Sequence, residues 1–370
     1  MSVEFIGHVF PHEQSETIAQ SGPIVQPDYL RALAQAHEQA GFDRVLIPHS
    51  SSMVDGFIIA DQTLAATERL GVLLAHRPGF VAPTQVARKY ATIDAFHPGR
   101  IAMHVISGGD DADQARDGDW IDKPSRYRRS GEFLEIVKQE WSSTSSDHFD
   151  HEGEFYKVKD AWSTVTPAGD HIPIYFGGAS ADAVRVGAEH ADVYAVWGEP
   201  LAGFRERIDQ IQSAAAEHDR KLRFSVSLRP IVADTEEEAW AKGREILEKT
   251  EERASQYVNS MIGGGKERGS FRTNEGSQRL LAFAEENEVH DERLWTALAK
   301  ATGAAGNSTA LVGSYEQVAD SLIEYVDAGA STLLIRGYEP YADAVRYGEV
   351  ISIVRDKLAA RDQDPALVSA

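Results

Sequence analysis

The sequence predicts a (β/α)8 TIM barrel carrying two insertions. Eight apolar runs of strand length recur along the 370 residues, and each is followed by a stretch with helical periodicity. The runs are mostly continuous rather than alternating, as expected of parallel strands buried on both faces. Eight is the number that closes such a barrel, which favours it over an open doubly wound sheet. A chain of this length fits one barrel domain over residues 1–370.

The units follow in order. "VEFIGHVF" (3–10) leads into "QPDYLRALAQAHEQAGF", where Leu30, Leu33, Ala34 and His37 repeat near 3.6 and Gly41 ends the helix. "DRVLIPH" precedes a helical stretch to Arg69, "LGVLLAHRP" one through Phe96, and "RIAMHVIS" one that begins near Ser125. "HIPIYF" with its helix makes a fifth unit, and "ADVYAVW" with "PLAGFRERIDQIQSAAAEH" a sixth. "RFSVSLRPIVA" with "EEEAWAKGREILEKTEE" is the seventh, and "STLLIRGY" with "PYADAVRYGEVISIVRDKL" the eighth. Residues 142–172 interrupt this rhythm with two short aromatic runs around Glu152 and Gly153, read as an inserted hairpin. Between about 250 and 290, the stretch 259–277 holds Gly263, Gly264, Gly265, Gly269 and Gly276 among charges. It reads as a mobile lid, a surface insert being the alternative.

Composition excludes several classes of function. The chain has no cysteine, so disulfides, zinc-thiolate sites, iron-sulfur clusters and thiol nucleophiles are out. A formal charge of -21 argues against tracking a nucleic-acid backbone. No apolar run reaches the roughly 20 residues of a spanning helix, and "MSVEFIGHVF" lacks signal-peptide order, so no membrane association and a cytoplasmic location are expected. The densest histidine cluster, "DHFDH" (147–151), matches no ligand spacing, and no metal is expected. No Gly-x-Ser-x-Gly elbow, Gly-x-x-x-x-Gly-Lys or Gly-x-Gly-x-x-Gly pattern is present.

Barrel enzymes carry their chemistry on the loops after the strands. That rule selects His8 and His12, His49 and Met53, His76 and Arg77, His104 and Ser107, Trp197 and Glu199, Ser227 and Arg229, and Arg336 and Tyr338. A further candidate lies in "PIYFGGASADAV", where a strand runs through glycines into a helix. Helix N-termini present unpaired N–H groups, Gly178 lets backbone approach an anion, and Ser180 can cap the helix. A phosphate seat and a plain serine-capped turn both fit that pattern.

These residues bring a family into view. "GFDRVLIPHSSS", "LLAHRPGFVAPTQVARKYATIDAFHPGR", "HVISGGDDADQARDGDWIDKPSRYRRSGEF", "PIYFGGASADAV" with "VYAVWGEP", and "TALVGSYEQVADSLIEY" with "GYEPYADAVRYGE" stand in the order found in bacterial luciferase-like flavin monooxygenases. Within them the chain most resembles the two-component alkanesulfonate monooxygenases. The resemblance implies reduced FMN (FMNH2) delivered by a separate, transiently bound NAD(P)H-dependent flavin reductase, O2 as co-substrate, and a homodimer or homotetramer. It implies that the FMN phosphate lies against Gly178, Ala179 and Ser180 with Tyr127 reaching it, and the flavin ring near His104, Ser107 and Trp197. His104 stands where the sulfonatases usually have asparagine.

On the substrate side the resemblance implies a small organosulfur compound, an alkanesulfonate cleaved to an aldehyde and sulfite. His49, Met53, Arg77, Trp197, Ser227 and Arg336 would bind it, and His12, Arg229 and Tyr338 would be catalytic. Here the chain departs from the family. Met53 replaces a cysteine, Ser227 and Arg229 replace an Arg-x-His pair, and Ala304 stands where a lid-side arginine is expected. Arg336 replaces a small residue beside the retained tyrosine, so Arg229 and Arg336 together would rebuild an anion site. A sulfone, a sulfonated sugar or a nitrogen heterocycle as substrate, a deazaflavin enzyme, and a non-catalytic flavin-binding homologue are the alternatives.

Overall fold

The computed structural model describes residues 3–262, 274–304, 306 and 308–363. Its first half alternates as expected: β1 (Glu4–His8), α1 (Pro27–Gln39), β2 (Arg44–Ile47), α2 (Gly56–Ala65), β3 (Gly71–His76), α3 (Pro83–Phe96) and β4 (Ile101–Val105). Then come α4 (Asp111–Arg116), α5 (Lys123–Ser142), β5 (Phe149–Glu152), β6 (Lys157–Ala161), β7 (Ile174–Gly177), α6 (Ala181–His190) and β8 (Val193–Trp197). The remainder is α7 (Leu201–Ala216), β9 (Arg223–Ala233), α8 (Glu236–Ile262), α9 (Glu275–Glu286), β10 (Val289–His290), β11 (Leu294–Trp295), α10 (Ala297–Thr302), β12 (Ala310–Ser314), α11 (Tyr315–Asp327), β13 (Thr332–Ile335) and α12 (Pro340–Gln363).

The hydrogen-bonded order β1-β2-β3-β4-β7-β8-β9-β13 returns from β13 to β1 and closes a ring of eight strands. The fold is therefore the (β/α)8 barrel, with extra strands. One of these departs from the eight-unit reading. β12 with α11 is an additional strand and helix between the seventh and eighth units. The 11-residue β9 accommodates it by serving two parallel partners in succession. Ser225 to Leu228 pair with β13, and Arg229 to Ala233 pair with β12. β11 and β10 then extend β12 in antiparallel fashion.

Local chemistry explains the elements. α1 starts with Pro27, whose fixed φ suits the first turn, and buries Leu30, Leu33, Ala34 and His37 along one face. α5 begins at Lys123, two residues before the expected start, because the Asp122 carboxylate caps it by accepting from Ser125 N at 2.8 Å. The inserted hairpin is present as β5 and β6, a separate antiparallel pair. It is fastened to α5 by Glu132, whose carboxylate accepts from Phe155 N (2.9 Å) and Tyr156 N (2.8 Å) and meets His151 Nε2 at 3.2 Å. Of the stretch read as a lid, residues 263–273 lie outside the described residues; on its flanks α8 runs to Ile262 and α9 starts at Glu275.

The chain divides into two compact units. One comprises the residues up to Val45, Ala195–Gln210 and those from Arg223 on; the other comprises Leu46–Tyr194 and Ile211–Leu222. In the first, Ile231, Ala239, Trp295, Leu298, Ala310 and Val312 form an apolar cluster between β9, β12 and α8. In the second, Val72, Leu74, Ile101, Met103 and Phe176 are fully or almost fully buried on neighbouring strands. No described helix is long and apolar enough to cross a membrane.

Candidate active site

In the unit built on Leu46–Tyr194, the corner between β7 and α6 carries the strongest signature. Gly178 has φ +151°, which side-chain-bearing residues rarely adopt. A Cβ there would lie 2.5 Å from the Ala183 Cβ and 3.0 Å from the Tyr127 hydroxyl. Only glycine therefore fits between the helix start and that hydroxyl. Ser180 is the N-cap of α6 and accepts from Ala183 N at 3.3 Å, leaving the first N–H groups of a 10-residue helix beside the Gly178–Ala179 turn. Tyr194 fixes the turn by donating its hydroxyl to Gly178 O at 2.9 Å. Tyr127, which comes from α5, is buried with its ring 6.4 Å from that of Phe176. The arrangement offers an anion a dipole end, backbone approach and a phenol together.

His104, Ser107, His49, Met53 and Arg77 also lie in this unit. His104 stands on β4 opposite Ala75 and Tyr175, and burial lowers its pKa to about 4, so its ring is neutral at pH 7. Its Nδ1 is buried without a hydrogen-bond partner. Ser107 pairs with Ser130 on α5 at 2.8 Å. His49 is held neutral by burial and then by the charge of Arg77. Met53 sits half-buried in the same loop, its N–H donating to Ser50 O. Arg77 is almost fully buried and donates to Asp113 Oδ2 at 2.6 Å, while Asp113 also accepts from the Ser51 hydroxyl. A buried arginine paired in this way is a strut between the loops after β2, β3 and β4. "DHFDH" is likewise spent on structure: His148 meets Asp160 at 2.7 Å and stacks on Trp162, and His151 meets Glu132.

The other unit holds Arg229, Arg336, Tyr338, His12, Ser227 and Trp197. Arg229 on β9 is 1% exposed and fully engaged. Its Nη1 and Nη2 donate to Glu16 at 2.6 and 2.9 Å, Nη2 also to Gly337 O at 2.9 Å, and Nε to Arg336 O at 3.3 Å. Arg336 shares the same carboxylate, Nη2 to Glu16 Oε1 at 2.8 Å. Burial pushes the Glu16 carboxyl up, but Arg229 and then Arg336 pull it further down, to about 2. The anticipated arginine pair thus exists, and it already holds a carboxylate from the chain itself. Tyr338 lies under Arg229, with the guanidinium carbon 3.6 Å from its ring centroid, and joins the Ile231 and Trp295 cluster. Its hydroxyl is buried without a partner, and burial raises its pKa.

His12 lies in the loop after β1, with Nδ1 donating to Ile24 O at 2.7 Å and Nε2 3.1 Å from the Gln14 side chain. Ser227 on β9 accepts at its carbonyl from Gly198 N at 2.8 Å. Trp197 ends β8 half-buried; it packs on Leu280, Ala299 and Ala304, and a Cβ on Gly276 would lie 3.1 Å from its ring. Ala304 is fully buried. Two residues beyond Trp197, Glu199 takes a two-point bond from Arg279 on α9, at 2.8 and 2.7 Å.

A family model described as luciferase-like monooxygenase matches residues 4–332. The chain belongs to the luciferase-like monooxygenase family. Among solved structures, riboflavin lyase with modified FMN and riboflavin is similar at a TM-score of 0.80 and 20% identity, covering 96% of this chain and 92% of that one. EDTA monooxygenase from Chelativorans sp. BNC1 gives 0.73 and 17%, covering 96% and 94%. The oxygenating constituent of 3,6-diketocamphane monooxygenase from Pseudomonas putida, in complex with FMN, gives 0.69 and 16%, covering 96% and 97%. At such identities these structures share the fold of the luciferase-like family.

Several residues of this luciferase-like chain escaped sequence reasoning. Glu16 is one acid in the polar stretch "PHEQSETIAQSG", 213 positions from the arginine it binds, and nothing local marks it. Asp113 had a faint signal, as an acid just after the capped start of α4. Tyr194 could have been found from the strand alternation that brings it beside the Gly178 turn.

Proposed function

We propose that this chain is a two-component, reduced-FMN-dependent monooxygenase using O2 on a small organosulfur substrate, an organosulfonate. The observation that carries the cofactor reading is the Gly178 corner, where a Cβ would displace both the α6 start and the Tyr127 hydroxyl. The residues fit the group. Ser180 and the α6 N-terminus suit a phosphate dianion, and the partnerless Nδ1 of a neutral His104 suits a heterocycle's polar edge. Relatives of the same fold solved with FMN or a modified FMN support this reading.

When bound, reduced FMN supplies the two electrons that activate O2. The chain's own residues then have three tasks. Gly178, Ala179, Ser180 and Tyr127 would anchor the phosphate and so orient the ring. Within the Leu46–Tyr194 unit, His104 and Ser107 would meet the ring's polar edge and help exclude water. The arginine group on β9 and β13 keeps positive charge for a sulfonate. His12, whose Nδ1 donates to Ile24 O, would be the proton carrier in place of Tyr338, whose hydroxyl is packed in an apolar cluster. The balanced reaction takes the sulfonate R–CH2–SO3−, O2 and reduced FMN to aldehyde, sulfite, one proton, water and oxidised FMN.

The test is sulfite release from a panel of alkanesulfonates, with NAD(P)H, FMN and a flavin reductase. Release that requires both FMN and O2 is expected. Oxidation of a reduced deazaflavin, with none of FMN, would overturn the proposal in favour of a dehydrogenase on the same barrel.

A further inference from the structure

Within the Leu46–Tyr194 unit α5 packs against α6, and one residue at that contact is a poor choice for the helix that carries it. Gly131 lies inside the 20-residue α5, where glycine costs more conformational entropy than any other residue. The reason for it is His190, at the C-terminal end of α6. A Cβ on Gly131 would lie 3.3 Å from the Nε2 and 3.7 Å from the Cδ2 of that ring. The missing side chain lets the imidazole lie close against α5.

His190 is only 8% exposed, yet neither of its ring nitrogens makes a hydrogen bond among the described residues. Nε2 faces carboxylates instead. Glu189 Oε2 is 3.7 Å away, beyond hydrogen-bond reach, and Glu135 stands one turn after Gly131 on the same face of α5. One ligand atom from each of Glu135, Glu189 and His190 lies within 4.8 Å of the other two, the one such group among the described residues. Two exposed glutamates alone would mean little; the buried imidazole without a hydrogen bond sets this group apart.

Size and charge both suit a cation. A zinc-sized ion about 2.0–2.2 Å from each ligand holds tetrahedral ligand atoms roughly 3.4 Å apart. The observed separations are slightly wider, and both glutamates are exposed, so side-chain rotation closes the difference. Lys138, one turn beyond Glu135, donates to His190 O at 2.9 Å, and Arg220 is matched by Asp192 at 3.6 Å. Two carboxylates against one ammonium leave a net negative charge.

We propose that Glu135, Glu189 and His190 bind one divalent first-row transition-metal cation, of which Zn2+ is the best match, with water completing the coordination. An imidazole nitrogen beside two carboxylates favours such an ion over Mg2+ or Ca2+, which take oxygen ligands. The ion ties the end of α6 to α5. At about 1.5 Å per residue the 10-residue α6 sets it roughly 14 Å along the helix from the Ser180 end, so its role is a structural clamp, separate from the function proposed above.

The experiment strips the full chain with a chelator, removes the chelator, and titrates ZnCl2 by calorimetry at pH 7.5, where an imidazole of ordinary pKa near 6.5 is neutral. Melting is followed with and without the ion. Zn2+ is expected to bind at one site and raise the melting temperature, and the same concentration of Mg2+ to do neither. Glu135→Gln and Glu189→Gln should each weaken Zn2+ binding at least tenfold, and His190→Gln should abolish it. Metal-free melting temperatures like the parent's show that a variant keeps its fold; if His190→Gln does not, the two exposed glutamate variants decide. Zn2+ affinity unchanged in both glutamate variants, which would assign the ion to other histidines, overturns the inference. So does a parent whose melting temperature Zn2+ leaves unmoved, or one that responds equally to Mg2+.

Discussion

Replacing Glu16 with glutamine perturbs one atom and one charge at the centre of the arginine group. In the folded chain the carboxylate accepts three bonds, at 2.6, 2.8 and 2.9 Å, from two guanidiniums. Glutamine keeps the shape but turns an amide N–H toward donors and leaves Arg229 buried without its counter-charge. Breaking a buried pair by removing one partner costs about 3–5 kcal/mol. The pKa shift gives an independent figure of similar size. A fall from 4.5 to about 2 corresponds to about 3 kcal/mol, since each unit is worth about 1.4 kcal/mol. With an unfolding entropy of about 2.1 cal/mol/K per residue, a chain of 370 residues should melt roughly 4–6 °C lower.

The pH dependence has a fixed sign. The folded pKa is depressed, so this stabilisation is fully present above the unfolded value near 4.5 and is lost as pH falls toward 2. Thermal melts of parent and Glu16→Gln between pH 7 and pH 2.5 are the assay. The gap between the two proteins should be widest at neutral pH and should narrow below pH 4.5. A variant melting within 1 °C of the parent at pH 7, or a gap that does not narrow in acid, would refute the reasoning.

Two further outcomes are expected. Gly178→Ala places a methyl group against Ala183 and the Tyr127 hydroxyl at a φ costing about 1–3 kcal/mol, so FMN binding should weaken at least tenfold while riboflavin binding changes little; equal losses for both ligands count against a phosphate seat. Glu132→Ala unties β5 and β6 from α5, so amide exchange should speed up at residues 149–161 with protection in the barrel strands retained, and unchanged exchange in the hairpin would show that the Glu132 bonds do not hold it.

Much of the fold was legible because barrel strands and their helices leave strong local marks. Continuous apolar runs such as "LGVLLAH" and the periodic face of α1 require no tertiary information. β12 was missed because its partner is one half of β9, and a single uninterrupted strand gives no sign that it pairs with two others in succession. The Gly178–Ser180 corner could be read for the same reason as α1, since a capped helix after glycine is a local feature. The arginine group could not. Arg229 and Arg336 were visible as charges at strand ends, but their state depends on Glu16 from a distant loop. Tyr338 looks like a rim residue in "IRGY", and only packing shows its ring beneath Arg229 in an apolar cluster.

The central claim is that the chain seats reduced FMN by its phosphate. An anaerobic titration of the full chain with reduced FMN and, in parallel, with reduced riboflavin tests it most directly. The account predicts at least tenfold tighter binding of reduced FMN, with the difference abolished in Gly178→Ala. Equal affinities for the two flavins would contradict it.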